Sequence, residues 1–376
     1  MGVVKMLGNY VYDTTYEELP RQVVAALKER FLDYLGTAFD AVKRMPMDPV
    51  IRVLKTYGTR EEASIIGMDM KLPCSLAALV NSHYSISDGW SFIAQHQAMI
   101  VIPAALAIAE VQDRMKPVSG KDLILALEVG YEVMTRVAFA MSPSTIRRGF
   151  SSTSIVGPMG AAAAASKILQ LDAERTTNAL AIASVLGSGF QATDRAPHPL
   201  FSFQVGRASE SGVLSSLLAQ GGLKGGDEIL EEGFFPALSD EYNLDLVTQN
   251  LGRDHKVMNS YLKLYGGCRA LATPIDVALH LRNENGIHWE EIRQVRIRNR
   301  ARALVMEIEN PKTGRQAEYS MAFGVAVALI YGDASLDRFT DAILKSEPVQ
   351  ILMKKIVVEH DPGLDQAPPE IGRAHV

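Results

Sequence analysis

Apolar residues recur at helical spacing along the first two thirds of the chain. After Pro20, apolar side chains return every three or four residues as far as position 43, which predicts a long amphipathic helix. Ser119 is followed by Asp122 three residues later, a spacing close to that of a capping box. A second long helix is therefore predicted to begin there.

Two further segments, residues 159–169 and 173–186, are rich in alanine. Alanine on several faces of a helix predicts close helix–helix contact rather than exposure. Residues 62–67 predict a short extended link, and the chain has no repeat and no low-complexity linker up to about residue 255. We therefore predict a large all-helical domain over residues 1–255.

The pattern changes in the last third of the chain. Residues 295–303 alternate branched and charged side chains with a period of two, which is typical of a strand. Residues 319–331 predict a helix and residues 354–361 a second strand, and a third strand is predicted to begin at residues 373–376. We predict a smaller α/β domain over residues 256–376, and we expect it to be incomplete at its C-terminus.

The composition is that of an ordinary globular protein, with 47% hydrophobic and 22% charged residues. A length of 376 residues favours two domains. The net charge of −5, with no basic run, argues against a nucleic-acid partner and an anionic membrane surface. No segment has the length and apolarity of a signal peptide or membrane span, and two distant cysteines do not indicate a disulfide framework. We predict a cytoplasmic protein.

Residues 187–192 match the pattern G-x-G-x-x-A, but a dinucleotide site needs a strand before the glycines and a helix after them. An alanine-rich helix is predicted before them and a proline-containing loop follows, so we reject a nicotinamide cofactor. The eight histidines have no metal-ligand spacing, and no metal is predicted. Several histidines are interpreted as solvated side chains, namely His255, His280, His288, His360 and His375.

The segment from Asn81 to Pro103 differs from its surroundings because it places a polar patch between two apolar helices. The second of these helices is predicted to begin at Pro103, since a proline is tolerated in the first helical turn. Imidazole and carboxylate groups in such a patch can move protons near neutral pH, and an indole can line a pocket. The patch contains His83, interpreted as structural, together with Asp88, Trp90, Gln95 and His96.

Four segments of the chain are similar, in the same order, to segments of one known family. They are the central segment just described and GFSSTSIVGPMGAAAAASKILQLD (149–172), GRASESGVLSSLLAQGG (206–222) and KLYGGCRALATPID (263–276). On these segments the chain resembles the MmgE/PrpD family, the 2-methylcitrate dehydratase family. The resemblance implies a homodimer built on the helical domain and chemistry that needs no cofactor.

The last of these segments resembles the family pattern Lys-x-Tyr-Pro-x-Cys-x-x-x-His-x-x-Ile-Asp. Lys263, Tyr265 and Cys268 match the pattern, whereas Gly266 stands in place of the proline and Ala272 in place of the histidine. The resemblance implies that Lys263 binds a substrate carboxylate, a role that suits a compact cation with three donors. Without the pattern, Lys263 would be interpreted as a surface lysine.

Other departures from the family affect polar groups. The chain has Phe201 where family members often carry a lysine, Ser151 where they often carry a histidine, and Phe323 where a tyrosine is common. These changes indicate either a pocket remodelled for a different, less charged substrate or a loss of catalysis. Arginines such as Arg148 could supply replacement cations, because a guanidinium binds carboxylate through two parallel hydrogen bonds.

The known activities of the family are dehydration of 2-methylcitrate, decarboxylation of cis-aconitate and epimerisation of iminodisuccinate. The resemblance therefore favours a lyase acting on a small carboxylic acid. An epimerase and a catalytically inactive binding or structural protein are the alternatives. Proton transfer beside a carboxylate is common to the three reactions.

We assign His96 as the general acid or base and Asp88 as the group that orients it. Lys263 is predicted to hold a carboxylate and Cys268 to be a second proton donor. The site is predicted in a cleft between the two domains, where ligand sites are common. Its substrate-binding residues are predicted to be Trp90, Arg148, Ser151 and Tyr265.

Overall fold

A computed structural model describes residues 2–44, 49–57, 60–85, 95–195, 200–305 and 307–365. The contacts of the chain divide it into two compact units between Leu262 and Lys263, slightly later than the predicted position. The first unit is dominated by helices, and the second combines helices with a pair of strands. The predicted fold class, a large helical domain followed by a smaller mixed one, is confirmed.

The first unit begins with α1 (Val3–Asp13), α2 (Arg21–Arg44) and α3 (Pro49–Leu54). Two short strands follow, β1 (Ala63–Ser64) and β2 (Lys71–Leu72). The remaining helices are α4 (Cys74–His83), α5 (Ala98–Asp113), α6 (Gly120–Met141), α7 (Ser144–Arg147), α8 (Ser152–Ile168), α9 (Ala173–Ser184), α10 (Leu200–Gln220), α11 (Phe235–Leu238) and α12 (Asp245–Thr248).

Small residues allow helix α8 to approach both α6 and α10 closely. A Cβ atom added at Gly212 of α10 would lie 2.3 Å from the Cβ of Ala161 and 2.5 Å from the carbonyl oxygen of Pro158, both on α8. No larger residue fits at such a crossing. The alanines of α8 are fully buried, which confirms the close contact that the alanine-rich pattern predicted.

The predicted capping box before α6 is present. The Ser119 hydroxyl accepts a hydrogen bond from the Asp122 backbone N–H, and the Asp122 carboxylate accepts one from the Ser119 backbone N–H at 2.8 Å. These two bonds satisfy backbone donors that the first turn of a helix leaves without intrahelical partners.

Two helices begin earlier than predicted because each continues through a proline. Helix α5 begins at Ala98 rather than Pro103, and α8 begins at Ser152 rather than Met159, with Pro158 inside it. A proline inside a helix removes one hydrogen bond and clashes with the preceding turn. Burial on nearly every face of both helices provides the tertiary packing that offsets this cost.

The first unit is not all helical, which corrects the prediction. The link expected at residues 62–67 contains β1, which pairs antiparallel with β2 in a ladder of two residue pairs. Asn81 at the end of α4 fixes this hairpin, because its side chain donates to Ser64 O at 2.9 Å and accepts from Ile66 N–H at 2.9 Å.

The second unit contains α13 (Ala272–Asn285), β3 (Val295–Asn299), α14 (Ala301–Leu304), α15 (Gly314–Ala317), α16 (Met321–Tyr331), α17 (Asp341–Leu344), α18 (Glu347–Met353), β4 (Ile356–His360) and α19 (Pro362–Asp365). Strands β3 and β4 are parallel, with Val295 opposite Ile356 and Asn299 opposite His360. Parallel strands need a long crossover, which the helices between them supply.

The helix predicted at residues 319–331 and the strand predicted at residues 354–361 are confirmed by α16 and β4. The strand predicted at residues 295–303 is wrong beyond Asn299, because the chain turns there into α14. The predicted third strand, at residues 373–376, lies outside the described residues. Among the described residues, no helix is both long and apolar enough to cross a membrane.

Candidate active site

Three elements of the first unit meet at His96. The residue lies just before α5, and its backbone N–H donates to Thr153 Oγ1, in the first turn of α8, at 3.2 Å. Its half-buried ring faces the edge of Phe201, near the start of α10, with the ring centroids 5.8 Å apart and an interplanar angle of 74°. His96 and Phe201, which are about a hundred positions apart in sequence, are therefore neighbours.

Two buried glutamines hold the backbone on either side of His96. Gln95 Nε2 donates to Met134 O on α6 at 3.3 Å. Gln97 Nε2 donates to Gln95 Oε1 at 3.1 Å and to Thr135 Oγ1 at 3.0 Å. These bonds tie the His96 backbone to α6, so the imidazole is presented from a fixed position.

The start of α8 is rich in hydroxyl groups. Ser151 precedes the helix, its backbone N–H donates to Gly189 O at 3.1 Å, and its hydroxyl lies 3.2 Å from that of Ser154. Ser152 and Thr153 lie between them and are buried. The first turn of a helix carries a partial positive charge and N–H groups without intrahelical partners, so this end of α8 suits a carboxylate.

Aromatic side chains lie beside the same helix start. The Phe150 ring stacks on that of Phe190 with the centroids 6.2 Å apart. Gln204 fixes Phe190, because its Oε1 accepts from the Phe190 backbone N–H at 3.1 Å. Phe201 gives the surroundings of His96 an apolar side, and the Phe150–Phe190 pair lies beside Ser151 at the start of α8.

Of the five predicted site residues of the first unit, the structure describes three, namely His96, Arg148 and Ser151. His96 and Phe201 are in contact, and Ser151 lies at the same helix start as Thr153. Arg148 lies nearby, with its guanidinium 5.9 Å from the Phe150 ring centroid, and forms a partly exposed ion pair with Asp240 at 3.2 Å. Asp88 and Trp90 lie outside the described residues.

The predicted residues of the second unit lie in the segment before α13. Lys263 and Cys268 are half-buried, and the Cys268 backbone N–H donates to Glu318 O at 2.6 Å. The Tyr265 hydroxyl donates to Asp276 Oδ1 at 2.5 Å. Burial, and then the Asp276 carboxylate, raise the pKa of Tyr265 to about 12, so this phenol stays neutral at ordinary pH.

Local packing explains one departure from the family pattern. The Gly266 backbone N–H donates to Ala334 O at 2.9 Å, a bond that proline cannot make. A Cβ atom at Gly266 would also lie 2.3 Å from the ring of Phe339. Phe323 is fully buried against the same ring, with the centroids 5.2 Å apart, and so forms part of the core of the second unit.

The interpretation of His255 as a solvated histidine is wrong. Its side chain is 11% exposed, and its Nδ1 lies 2.6 Å from Oε1 of the buried Glu128 on α6. The sequence contains a signal for this arrangement, because Glu128, Glu132 and Arg136 are charged residues at four-residue spacing in an otherwise apolar helix. Such residues share one helix face. Thr153, the neighbour of His96, also escaped the sequence analysis.

The described residues contain no group of three or more His, Cys, Asp or Glu side chains that could hold a metal ion. The glycine pattern at residues 187–192 follows helix α9 instead of a strand, so its context is not that of a dinucleotide site. The described residues around His96 offer an imidazole, hydroxyl groups and a helix N-terminus.

Fold and site together define a two-unit, mainly helical class of protein with an imidazole placed beside a carboxylate-compatible helix start. Models of two known domains match the chain. The MmgE/PrpD N-terminal domain matches residues 5–247, and the MmgE/PrpD C-terminal domain matches residues 265–375. The chain belongs to the MmgE/PrpD family, as the resemblance in its sequence indicated.

Several relatives of known name are similar over nearly the whole chain. The cis-aconitate decarboxylase-like protein oryM of Aspergillus oryzae is 26% identical over 97% of this chain and 81% of its own length. The cis-aconitate decarboxylase of Homo sapiens is 26% identical over 96% of this chain and 77% of its own length. The cis-aconitate decarboxylase of Aspergillus terreus is 25% identical over 97% and 80%. Decarboxylation is a lyase reaction, so the comparisons favour the lyase class.

Proposed function

We propose that this protein is a lyase that acts on a small carboxylic acid by proton transfer at a carbon beside a carboxylate, without a cofactor. The observation that carries the proposal is the position of His96, which is half-buried between Phe201 and the hydroxyl-rich start of α8. Membership of a family whose similar members are named as decarboxylases supports the same reaction class.

Decarboxylation and dehydration both need a group in this site that can donate or accept a proton. In a decarboxylation, the bond to the leaving carboxylate breaks, its electron pair stays on carbon as carbon dioxide departs, and an acid then protonates that carbon. In a dehydration, a base removes a proton from carbon, and the hydroxyl leaves with a proton. A histidine can act as acid or base near neutral pH, because its ordinary pKa is about 6.5.

The remaining groups take roles that follow from their chemistry. The start of α8, with Ser152 and Thr153, would bind a substrate carboxylate through N–H and hydroxyl donors. We propose Asp88 as the group that orients His96, Lys263 as a second carboxylate ligand and Cys268 as a further proton donor. Trp90, Arg148, Ser151 and Tyr265 are proposed to contact the substrate.

The position of Phe201 favours a substrate with an uncharged substituent on the side that faces this ring. Its ring edge faces His96, and an aromatic ring cannot compensate a carboxylate that loses its water. We propose that the substrate presents an uncharged substituent at this position. The substrate would then carry fewer carboxylates than the cis-aconitate in the names of the relatives.

A panel of hydroxy, unsaturated and imino acids, incubated with the protein in deuterated water and followed by proton NMR, tests the proposal. A new alkene or loss of carbon dioxide is the expected result. Deuterium exchange without net product would instead identify an isomerase. No change with any compound, together with ligand binding that survives His96→Asn, would leave only a binding role.

The matched control for that experiment is His280→Asn. His280 lies on α13 near the protein surface, with its Nε2 3.1 Å from Oε2 of Glu284, four residues away. The control variant should keep the full rate, whereas His96→Asn should lose it. Two further predictions, a homodimer and a cytoplasmic location, stay predictions. Sedimentation that shows only monomer at micromolar concentration would contradict the first.

A further inference from the structure

A row of three buried charges lies along one face of α6. Glu128, Glu132 and Arg136 are each fully buried, and the Arg136 Nε donates to Glu132 Oε2 at 2.6 Å. Their other partners lie in the segment from Gln249 to Ser260, which is named the closing segment here because it comes last in the first unit. Buried charges are costly unless they are paired, so these three side chains need their partners in the closing segment.

Arg136 fixes the first half of the closing segment. Its Nη1 donates to Gln249 O at 2.6 Å, and its Nη2 donates to Asn250 O at 3.2 Å and to Asp254 O at 3.0 Å. Three backbone carbonyls thus share a single guanidinium. Since that guanidinium is also held by Glu132, the closing segment is attached to α6 through a charge pair.

The two carboxylates fix the second half. Glu132 Oε1 accepts from the Lys256 backbone N–H, and Glu128 Oε1 lies 2.6 Å from His255 Nδ1. The last residue of the segment is held independently, because Arg30 of α2 donates to Ser260 Oγ at 2.9 Å and to Ser260 O at 2.7 Å. The part between Gln249 and Lys256 therefore depends on the charges of α6.

The charge balance of this cluster requires one titrating proton. Two ionised carboxylates exceed one guanidinium by one negative charge, so the buried cluster needs one further proton, on His255 or on a carboxylate, to be neutral. The Lys256 ammonium pairs with Asp254 at the partly exposed edge of the cluster. Among the described residues, Glu128 Oε2 has no hydrogen-bond partner, which leaves Glu128 dependent on His255.

We propose that this cluster is a proton-dependent latch, in which one buried proton holds the closing segment on α6 and its loss at alkaline pH loosens the segment. The groups that face the cluster are consistent with this role. Tyr10 of α1 approaches Gly252, and its hydroxyl is buried near the two carboxylates, where burial raises its pKa well above the usual value. It therefore contributes no charge across the relevant pH range.

The direction of the pH effect follows from two pKa shifts. The hydrogen bond to Glu128 raises the pKa of His255. Burial, and then the neighbouring Glu128, raise the pKa of Glu132 to about 7. Both groups keep their proton to higher pH in the attached state than in a detached one. Attachment is therefore strongest in mild acid and is lost as the pH rises through these raised values.

Hydrogen exchange of the intact protein, followed by mass spectrometry from pH 6 to pH 9, tests the latch. After correction for the intrinsic pH dependence of exchange, the protection of peptides that cover the closing segment should fall by up to about tenfold per pH unit, the limit for one proton. Peptides from α8 and α10 should keep their protection. Constant protection of the closing segment across this range would overturn the proposal without any variant.

Two variants locate the proton. His255→Gln should lower the protection of the closing segment at pH 6 and weaken its pH dependence, leaving only the part that Glu132 carries. Glu128→Gln removes the excess negative charge, so it should keep high protection at pH 9. His280→Gln, which alters an exposed His–Glu pair, should behave as the wild type. A wild-type pH dependence in both His255→Gln and Glu128→Gln would show that other groups bind the proton and would overturn the assignment.

Discussion

Two histidines of the first unit lie in opposite surroundings. His255 is bonded through Nδ1 to the fully buried carboxylate of Glu128, inside a cluster that also contains Glu132 and Arg136. His96 is half-buried, its ring faces the edge of Phe201, and its backbone N–H bonds to a hydroxyl at the start of a long helix.

This difference indicates why His255 suits a structural role and His96 a catalytic one. A buried counter-charge raises the pKa of His255 and makes the loss of its proton costly to the fold. An imidazole at a partly open position beside hydroxyl groups can exchange a proton with a ligand near neutral pH. Substitutions should therefore separate folding effects around His255 from activity effects around His96.

The largest effect is expected for Arg136→Ala. This change leaves the buried carboxylate of Glu132 without its cation and three carbonyls of the closing segment without their donor. We expect a loss of roughly 5 kcal/mol in the free energy of unfolding, measured by urea denaturation, or a failure to fold. Arg147→Ala, at an exposed pair with Glu241, should cost at most about 1 kcal/mol. Equal effects of the two changes would contradict the importance of the buried cluster.

His96→Asn should act on the reaction and leave the fold intact. The bond to Thr153 uses the backbone N–H of residue 96, so the substitution preserves it. We expect a fall of about 10²–10⁴-fold in kcat/KM on the substrate identified by NMR, with little change in the urea midpoint. A kcat/KM within a few-fold of the wild-type value would show that His96 is not the general acid or base.

Lys263→Met tests the second unit. If Lys263 binds a substrate carboxylate, the loss of a charged hydrogen bond worth about 1.5–3 kcal/mol should raise KM by roughly tenfold to a hundredfold. The change in kcat should be smaller. Lys345→Met removes an exposed lysine from an ion pair with Asp341 in the same unit and serves as the control. Unchanged steady-state kinetics in Lys263→Met would mean that Lys263 is a surface lysine that does not bind the substrate.

The smallest effect is expected for Ser119→Ala. This change removes the N-cap of α6 but leaves Glu128, Glu132 and Arg136 in place. The expected loss is about 1 kcal/mol in the free energy of unfolding. The pH dependence of the closing segment in hydrogen exchange should stay that of the wild type. An altered pH dependence would mean that the helix end, rather than the buried cluster, governs the attachment.

Much of the fold could be predicted because local signals agree with the final structure. Periodicity and the capping box predicted α2 and α6, and alternation predicted β3 as far as Asn299. The errors arose where tertiary packing overrode a local rule. Helices α5 and α8 continue through a proline because both are buried, and a hairpin forms beside α4 because Asn81 bonds to its backbone.

The candidate site could be predicted only in part. The segment around His96 was identified from its polar patch, and Ser151 and Phe201 from their departure from the family pattern. The contact of His96 with Phe201 and Thr153 joins segments that are far apart along the chain, so no local pattern contains it. The same holds for Gly266, whose requirement becomes clear only beside Phe339 and Ala334.

The sequence by itself determined where most of the long helices lie, that the second unit contains strands, and to which family the chain belongs. These properties depend on neighbouring residues or on recognisable segments. Only the tertiary structure decided that His255 pairs with a fully buried carboxylate while His96 lies beside an aromatic ring and hydroxyl groups. The partner of His255 is 127 positions away, and the energy of such a pair depends on burial, which no local pattern records.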